Sequence, residues 1–540
     1  MIKKLLFLTF LISQFAFSQN TVGTISVTND AYDGFTLFSV NTKTFLINNC
    51  GQVINDWTST YIPGHSVYIL PNGNLIRAGK KDTSTIVFGG AGGVVEMFDW
   101  DGNILWTFDY STNDHRSHHD IFPLPNGNIL VLAATVMTSV EAIQAGRDPN
   151  FLLEGKLYNE QIIEVEPVGT DQANIVWEWN IKDHFIQDID NTKDNFGVIG
   201  DNPQKLDINF ENGDGNANWL HINSIQYNEQ LDQIVISSRN LSEFWIIDHS
   251  TTTAEAATGS GGTYGKGGDL LYRWGNPESY DQGTSIDRKL FGQHFPHVIQ
   301  PGLKDAGKII LFNNGSGTAP TFSSVMIMNP PTSSPGVYSY TPNTAYGPLN
   351  PDFTYSDPPD FVSPVLSSAI RLPNGNILVS EGASGHFFEL NSSNSIVWDY
   401  VLPMMNTTGS ILAQFDPTPT SGNSTFRAIK YSSSYGGFNG RDLTPGNPIE
   451  SNFNLTPCST LSTQDQRFTN VSVFPNPANN KVTVQSTFDI DKIEVYNLLG
   501  AKLFSIKDIS IVNISGLNSG IYLLKITSGI ETVTRKIIKD

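Results

Sequence analysis

The chain has 540 residues, only 16% of them charged, and a formal net charge of −20 at pH 7. This excess of acidic groups disfavours nucleic acid as a partner, because binding to phosphates requires a surplus of lysine and arginine. The 47 glycines and 29 prolines indicate a turn-rich β protein.

Residues 1–18 have the layout of a secretory signal peptide. Lys3 and Lys4 precede an apolar stretch, and Ala16 and Ser18 provide small residues before a cleavage point at Gln19. The stretch is too short for a membrane anchor, and no other reaches membrane-spanning length. We therefore expect export and no transmembrane segment.

A pentapeptide, LPNGN, recurs at Leu70–Asn74, Leu124–Asn128 and Leu372–Asn376. Each copy lies between two apolar runs, and Asn-Gly favours the two positive φ angles of a tight hairpin turn. Units that begin at His221 and His297 repeat this outline with degenerate turns. The repeat predicts a series of β-hairpins.

A second hairpin that ends in a tryptophan-rich strand follows most units, which gives four strands per repeat. A sixth unit forms if Phe426–Ser432 supplies the inner strand and Thr36–Trp57 the outer strands. We predict an all-β six-bladed β-propeller over residues 19–458. We expect its blade cores to contain the tryptophans that end the strands, Trp57, Trp106, Trp177, Trp179, Trp274 and Trp398.

Cys50 and Cys458 are the two cysteines of the chain. In an oxidising compartment an even pair favours one disulfide. Two unpaired thiols are the alternative.

After a polar linker at residues 459–467, residues 468–540 read as short alternating strands of a small β-sandwich, immunoglobulin-like in type. Phe474–Pro477, the turn at Val495–Gly500 and the terminal KIIK resemble the C-terminal sorting domain of the type nine secretion system. The resemblance implies that secretion machinery is a partner. It also implies export across the outer membrane, to the cell surface or beyond, with tail cleavage.

Five histidines occur at or just before the first strand of a predicted blade: His65, His119, His221, His294 and His297. Because inner strands of a propeller face its central channel, we expect these imidazoles to converge near the channel mouth. His65, His119, His221 and His297 share one register, and His294 lies three residues before it.

A metal site is an alternative use of these imidazoles. His115, His118 and His119 lie close in sequence to Asp114 and Asp120, which favours a metal-dependent hydrolase as a third candidate. No glycine-rich phosphate loop and no G-x-S-x-G elbow is present. We predict no metal and no cofactor.

Four stretches resemble the bacterial aryl-sulfate sulfotransferases, which are built on a six-bladed propeller and use no nucleotide donor. They are Trp219–Ile225 with Ser237–Arg239, Gly292–His294 with Leu311–Gly315, Phe361–Pro364, and Glu381–Leu390. The resemblance implies transfer of a sulfuryl group from an aryl sulfate to a phenol through a sulfohistidine.

By position, the resemblance assigns His386 as the nucleophile and His221 and His294 as the supporting catalytic histidines. We further expect Arg239, Asn314, His297 and His119 to bind the substrate. One protonated supporting histidine would donate a proton to the departing phenolate oxygen.

The chain departs from the family pattern at residues 321–325, where Thr321-Phe322-Ser323-Ser324-Val325 occupies the place of an arginine. Either Arg239 supplies the positive charge from another blade, or the site binds its anion more weakly. The alternative function is a non-catalytic propeller that binds sulfated or carbohydrate ligands at the cell surface.

Overall fold

The structure is a computed structural model, and it describes residues 20–210, 215–315, 321–458, 471–486, 490–497, 502–507, 510–528 and 531–540. The predicted signal peptide and linker lie outside these residues. Two compact units divide the chain, Met1–Asn454 and Leu455–Asp540. Almost all regular structure is antiparallel sheet, so the all-β prediction is confirmed.

The first part of the chain forms strands of four sheets. They are β1 (Gly23–Val27), β2 (Gly34–Val40), β3 (Lys43–Ile47), β4 (Val53–Thr58), β5 (Pro63–Ile69), β6 (Leu75–Lys80), β7 (Gly93–Phe98), β8 (Ile104–Asp109), β9 (His115–Pro123), β10 (Ile129–Thr138), β11 (Lys156–Val168) and β12 (Gln172–Asn180). Strands β5–β8 and β9–β12 each form a four-stranded antiparallel sheet.

The middle of the chain adds two more four-stranded sheets, β15–β18 and β19-β20-β21-β24, and two short two-stranded ones. The strands are β13 (Phe185–Ile186), β14 (Leu206–Asp207), β15 (Ile222–Asn228), β16 (Gln233–Ser238), β17 (Glu243–Asp248), β18 (Tyr272–Trp274), β19 (His294–Val298), β20 (Ile309–Asn313), β21 (Ser324–Met328), β22 (Thr332–Ser334), β23 (Val337–Tyr338) and β24 (Phe353–Tyr355).

The last part of the unit connects both ends of the chain. Its strands are β25 (Ser368–Arg371), β26 (Ile377–Glu381), β27 (His386–Leu390), β28 (Ile396–Val401) and β29 (Ile429–Ser432). Strand β29 pairs with β2 in the sheet β29-β2-β3-β4, which is the predicted pairing. Strand β1 adds a fifth strand to β25–β28, which the sequence pattern did not predict.

Helices are short and connect strands. The α-helices α1 (Ser139–Gln144) and α2 (Thr253–Ala256) begin with capping boxes on Thr138 and Thr252, each paired with a glutamate three residues on. The 3₁₀ turns are Pro149–Phe151, Ile181–His184, Ile199–Asp201, Pro277–Tyr280 and Gly436–Phe438.

The LPNGN turns differ from the predicted geometry in one respect. Only the glycine has a positive φ, 86° at Gly73, 91° at Gly127 and 89° at Gly375. In the first copy the Leu70 N–H donates to the Asn74 carbonyl and the Gly73 N–H to the Leu70 carbonyl. This geometry matches a three-residue hairpin loop with a left-handed glycine rather than a two-residue one.

Successive sheets pack face to face through apolar side chains. Within the described residues, separate buried clusters join the β2 sheet to the β5 sheet and so on in chain order up to the β25 sheet. Phe38 of the β2 sheet also contacts Phe387 and Tyr400 of the β25 sheet, at centroid distances of 5.2 and 6.2 Å. The last sheet thus packs on the first.

Tryptophans on outer strands connect the sheets in the same direction. Five indole N–H groups each donate to a backbone carbonyl of the next sheet, at 2.8 Å: Trp57 to Asp99, Trp106 to Gln172, Trp179 to Gly268, Trp274 to Pro348 and Trp398 to Asn49. All are buried. The prediction that these residues form the cores is confirmed.

The second unit contains a three-stranded sheet and a four-stranded sheet, β30-β31-β34 and β33-β32-β35-β36. The strands are β30 (Ser472–Phe474), β31 (Lys481–Gln485), β32 (Lys492–Asn497), β33 (Lys502–Lys507), β34 (Ile511–Asn513), β35 (Gly520–Ser528) and β36 (Glu531–Lys539). Both sheets contribute to one apolar core that includes Val482, Ile493 and Leu524. Cys50 and Cys458 are both disulfide-bonded.

Candidate active site

Five residues at the entry to successive first strands have left-handed backbone conformations. Their φ angles are 101° at His65, 50° at His119, 46° at His221, 56° at Phe295 and 91° at Ser367. Positive φ is uncommon for residues other than glycine and costs free energy, so it persists where the surrounding structure imposes it and is frequent at functional sites. Irregular pairing accompanies the positive φ in four of these strands, β5, β9, β15 and β19.

This register differs from the predicted one in the unit that begins at His297. Phe295, and not His297, has the left-handed conformation, so His294 lies one residue before the register rather than three. The Pro296 between Phe295 and His297 lies within the irregular stretch of β19 pairing. His297 is partly buried and its Nδ1 lies 3.1 Å from the carbonyl oxygen of Phe295.

The imidazoles from these strands gather around Phe426. The His65 ring stacks on Phe426 at 4.8 Å, and the rings of His119 and His294 each lie 6.5 Å from it. His119 also contacts His65 at 5.6 Å and His221 at 4.8 Å. Four of the five predicted histidines therefore converge, and we call His65, His119, His221 and His294 the histidine cluster.

A glycine-rich segment, Phe88–Gly93, lies against this cluster. The backbone N–H of His119 donates to the Gly90 carbonyl at 2.8 Å. A Cβ at Gly90 would lie 2.1 Å from the His119 ring, whereas a Cβ at Gly89 would lie 3.5 Å from His221. Only glycine fits at position 90 without displacing the imidazole.

His294 is held in one tautomer by Asn314. The Asn314 amide nitrogen donates to the carbonyl oxygens of Ser363 and Leu366, at 2.7 and 3.0 Å. Its Oδ1 therefore faces His294, whose Nδ1 donates to it at 2.7 Å. The proton is thus on Nδ1, and Nε2 retains its lone pair.

His221 has the opposite arrangement. The amide nitrogen of Asn218 donates to His221 Nδ1 at 2.8 Å. The His221 proton is then on Nε2, which makes this nitrogen a hydrogen-bond donor. The cluster thus offers one imidazole with a free lone pair and one with a free N–H.

Burial keeps the cluster uncharged. Desolvation lowers the pKa of His294 to about 3 and of His65 to about 4. It also lowers the pKa of His119 and His221 well below the usual range, and neighbouring histidines and Arg239 add to the effect. All four imidazoles are therefore neutral near pH 7.

Arg239 supplies a positive charge beside these neutral rings. Its charge lowers the pKa of both His221 and His294. Among the described residues, no carboxylate lies within ion-pairing distance of its guanidinium, and its side-chain contact is to Asn240 Oδ1 at 3.4 Å. Ser323 hydrogen-bonds the Asn314 carbonyl at 2.8 Å.

Sequence reasoning missed Phe426 and Arg427. Arg427 is buried, pairs with Asp120 and lies 4.3 Å from the ring centroid of Phe295. Asp120 also accepts from the backbone N–H of Ile225 at 3.1 Å. The pair therefore ties three strands together behind the cluster. The sequence did indicate their position, because both residues lie at the start of the predicted inner strand Phe426–Ser432.

His386 is not part of the histidine cluster. It lies on β27, where its Nδ1 is 2.6 Å from Glu381 and its Nε2 is 2.8 Å from Asp399. Burial alone would lower its pKa, but hydrogen bonds to Asp399 and Glu381 raise it to about 9. An imidazolium with both nitrogens bound has no lone pair for attack. The geometry therefore argues against the predicted nucleophilic role.

The candidate metal ligands near His115 do not form one group, although His118 Nδ1 lies 2.9 Å from His119 Nδ1. His115 stacks on Tyr110 at 4.1 Å, His118 stacks on Phe88 at 4.3 Å, and Asp120 pairs with Arg427. Across the described ranges, no group of three or more His, Cys, Asp or Glu residues has an arrangement that could hold a metal ion.

Comparison with known families decides the relationship. The profile described as arylsulfotransferase (ASST) matches residues 87–417, more than half of the chain. The chain belongs to the arylsulfotransferase family. The match spans three of the four imidazoles of the cluster, together with Arg239 and Asn314.

The second unit also matches a known family. Residues 472–540 match the secretion-system C-terminal sorting domain, so the resemblance predicted for the tail is confirmed. The chain is therefore a secreted arylsulfotransferase-like protein. No helix within the described residues is both long and apolar enough to cross a membrane.

No curated protein matches the chain. Among solved structures, a Bacteroides caccae protein of unknown function has 11% identity and a TM-score of 0.39, with 74% of this chain and 98% of that chain covered. The Pseudomonas aeruginosa periplasmic gluconolactonase PpgL has 9% identity and a TM-score of 0.34, with 93% and 99% covered. At these scores the likeness carries no argument about chemistry.

Proposed function

We propose that the protein is a secreted aryl-sulfate sulfotransferase. It would move a sulfuryl group from an aryl sulfate to a phenol through a sulfated histidine, without a nucleotide donor. The observation that carries this proposal is the pairing of His294 with Asn314, because it presents a neutral imidazole lone pair beside Arg239. Family membership supports the reaction class.

The fold proposed for this activity is a closed six-bladed propeller spanning the sheets described above. Three observations support closure: the pairing of β29 with β2, the contact of Phe38 with Phe387, and the Trp398 bond to Asn49. A ring of this kind brings the entry of each first strand to one central point. Four of the six units would then each contribute one histidine to the cluster.

His294 takes the nucleophilic role first assigned to His386. In the first step the Nε2 lone pair of His294 attacks sulfur, and the bond from sulfur to the aryl oxygen breaks with its electron pair on that oxygen. The imidazole gains the sulfuryl group, and its Nδ1–H remains bound to Asn314 Oδ1. A neutral imidazole is a competent nucleophile when its other nitrogen is held in this way.

His221 and Arg239 stabilise the charge that develops. The Nε2–H of His221 would donate a hydrogen bond to the departing phenolate oxygen. Because its pKa is lowered, His221 is a hydrogen-bond donor in this scheme rather than the protonated acid first expected. Arg239 would bind the equatorial sulfuryl oxygens, where fixed positive groups lower the barrier most.

The second step reverses the first with a new phenol. The acceptor reacts as its phenolate, whose proton has passed to solvent. Its oxygen attacks sulfur, and the bond from sulfur to nitrogen breaks with the electron pair returning to Nε2 of His294. His119 would line the sulfuryl site, and a substrate contact of His297 stays a prediction.

The direct test is acceptor-dependent release of nitrophenol from nitrophenyl sulfate by the purified protein. We expect release only when a phenol is added, and we expect it to be abolished in His294→Ala. A wild-type protein that released none with any phenol would remove this proposal. Export through the type nine system with removal of the tail is proposed from the sorting domain.

A further inference from the structure

A second feature lies beside the histidine cluster: a cavity of about 190 Å³ next to His65. Its walls include Ile62, Pro63, Phe88, Leu366 and the ring of Phe426. The stacked rings of His65 and Phe426, with an interplanar angle of 15°, form a flat edge. Flat aromatic walls and this volume suit a ligand with a single ring.

The charge of the cavity is one-sided. Of the residues that the structure describes, Lys80 lines it, and no aspartate or glutamate does. The Lys80 ammonium lies 3.4 Å from Asp82, whose side chain is 72% exposed, so the positive charge is only weakly neutralised. The positive charge of Lys80 also helps to lower the pKa of His65. In a chain with a net charge of −20, a cavity with one cation and no acid favours an anionic ligand.

His65 adds a buried imidazole nitrogen at the wall of the cavity. Its Nε2 is buried and has no hydrogen-bond partner among the described residues. A buried polar atom without a partner costs free energy, so it indicates a group that arrives with a ligand. A hydroxyl is suited to this position, because neutral imidazole nitrogen accepts from it.

We infer that this cavity is an acceptor subsite for a single-ring phenol that carries a carboxylate. The ring lies against Phe426, the phenolic hydroxyl meets His65 and the carboxylate pairs with Lys80. The acceptor role rests on the proposed function, because it requires sulfuryl transfer. The cavity and its charge do not depend on turnover. Lys80 is thus a specificity-determining residue rather than a catalytic one.

Two probes that differ in charge alone test the inference, namely 4-hydroxyphenylacetate and its neutral amide. Binding is measured calorimetrically on the full protein without any sulfuryl donor. We expect the wild type to bind the carboxylate about fivefold more tightly, as expected for a partly exposed ion pair. Equal affinities for the two probes would overturn the inference.

Variants then test whether Lys80 causes the preference for the carboxylate probe. Lys80→Met should abolish the preference and Lys80→Arg should keep it. Lys81→Met is the matched control, since Lys81 pairs with Asp109 and does not line the cavity, and it should leave the preference intact. A preference that survives Lys80→Met would overturn the inference.

His65→Asn tests the hydroxyl position, and asparagine tolerates the positive φ at this residue. It should weaken both probes by a similar factor and leave their ratio unchanged. Unchanged affinity for both would overturn the placement of the hydroxyl. A protein that binds with the expected preference but transfers no sulfuryl group would remove the proposed function and leave this cavity assignment standing.

Discussion

Asn314 fixes the tautomer of His294 through a single bond of 2.7 Å between Oδ1 and Nδ1. The asparagine cannot rotate freely, because its amide nitrogen is held by the carbonyls of Ser363 and Leu366. One amide therefore determines which imidazole nitrogen faces the substrate site.

Replacement of Asn314 tests whether its hydrogen bond to His294 is needed for catalysis. Asn314→Ala should lower kcat by about 10²-fold, because the imidazole loses its orienting partner. Asn374→Ala, which removes an exposed amide from an LPNGN turn, is the control and should keep kcat within about twofold. Steady-state kinetics with nitrophenyl sulfate and phenol measure both.

A pH profile separates positioning from loss of folding. The pKa of His294 is lowered to about 3, so wild-type kcat/KM should show no acid limb near pH 6.5. Asn314→Asp places a carboxylate on Nδ1, which favours the charged imidazole and should move the acid limb upward. A wild-type limb near pH 6.5 would contradict a buried neutral His294.

Arg239 should carry most of the anion binding. Arg239→Met should lower kcat/KM by about 10²- to 10³-fold, which is typical for loss of one group that stabilises transition-state charge. Arg239→Lys should recover part of it, since the point charge remains but the fork of donors does not. Arg441→Met is a surface control that we expect to have little effect. Equal activity of Arg239→Met and wild type would exclude this role.

The glycine segment offers a matched pair of substitutions. Gly90→Ala places a Cβ 2.1 Å from the His119 ring, whereas Gly89→Ala meets its nearest neighbour at an ordinary 3.5 Å. We expect Gly90→Ala to lower activity at least about tenfold and Gly89→Ala to change it little. Both variants should be compared by circular dichroism and kinetics. Similar kinetics for the two would show that the His119 position is not critical.

His386 is predicted to stabilise the fold rather than to react. Its pKa is raised to about 9 by Asp399 and Glu381 against the effect of burial. The raised pKa means that this stabilisation is complete below pH 6.5 and is lost as pH rises through about 9. Asp232 and Glu164 likewise raise the pKa of His249 to about 9. His249 therefore also stabilises the fold at lower pH and loses this effect as pH rises.

His386→Asn should therefore lower the free energy of unfolding by about 1–2 kcal/mol at pH 6 and by much less at pH 9.5. Thermal denaturation across this range, with His249→Asn as the matched variant, checks the prediction. A Tm difference between His386→Asn and wild type that is the same at both pH values would contradict it.

Local patterns predicted much of the fold. The repeated turns placed the hairpins, and the pairing of Phe426–Ser432 with the N-terminal strands followed from the apolar pattern. The left-handed backbone at Phe295 did not follow, because the bulge that moves the register by two residues depends on tertiary packing rather than on local propensity. His297 therefore does not occupy the register position predicted for it.

The site was predicted less well than the fold. Histidines at the strand entries could be recognised from their spacing. The two carboxylate contacts of His386 could not, since Glu381 and Asp399 approach from two other strands. Arg239 was named, but its closeness to His294 required the sheets to be placed in three dimensions.

Mass spectrometry of the intact protein, quenched after addition of an aryl sulfate without acceptor, tests the central claim most directly. We predict one sulfuryl group per chain, located on His294, and none in His294→Ala. A sulfuryl group on His386, or none on any histidine of an active protein, would contradict the account.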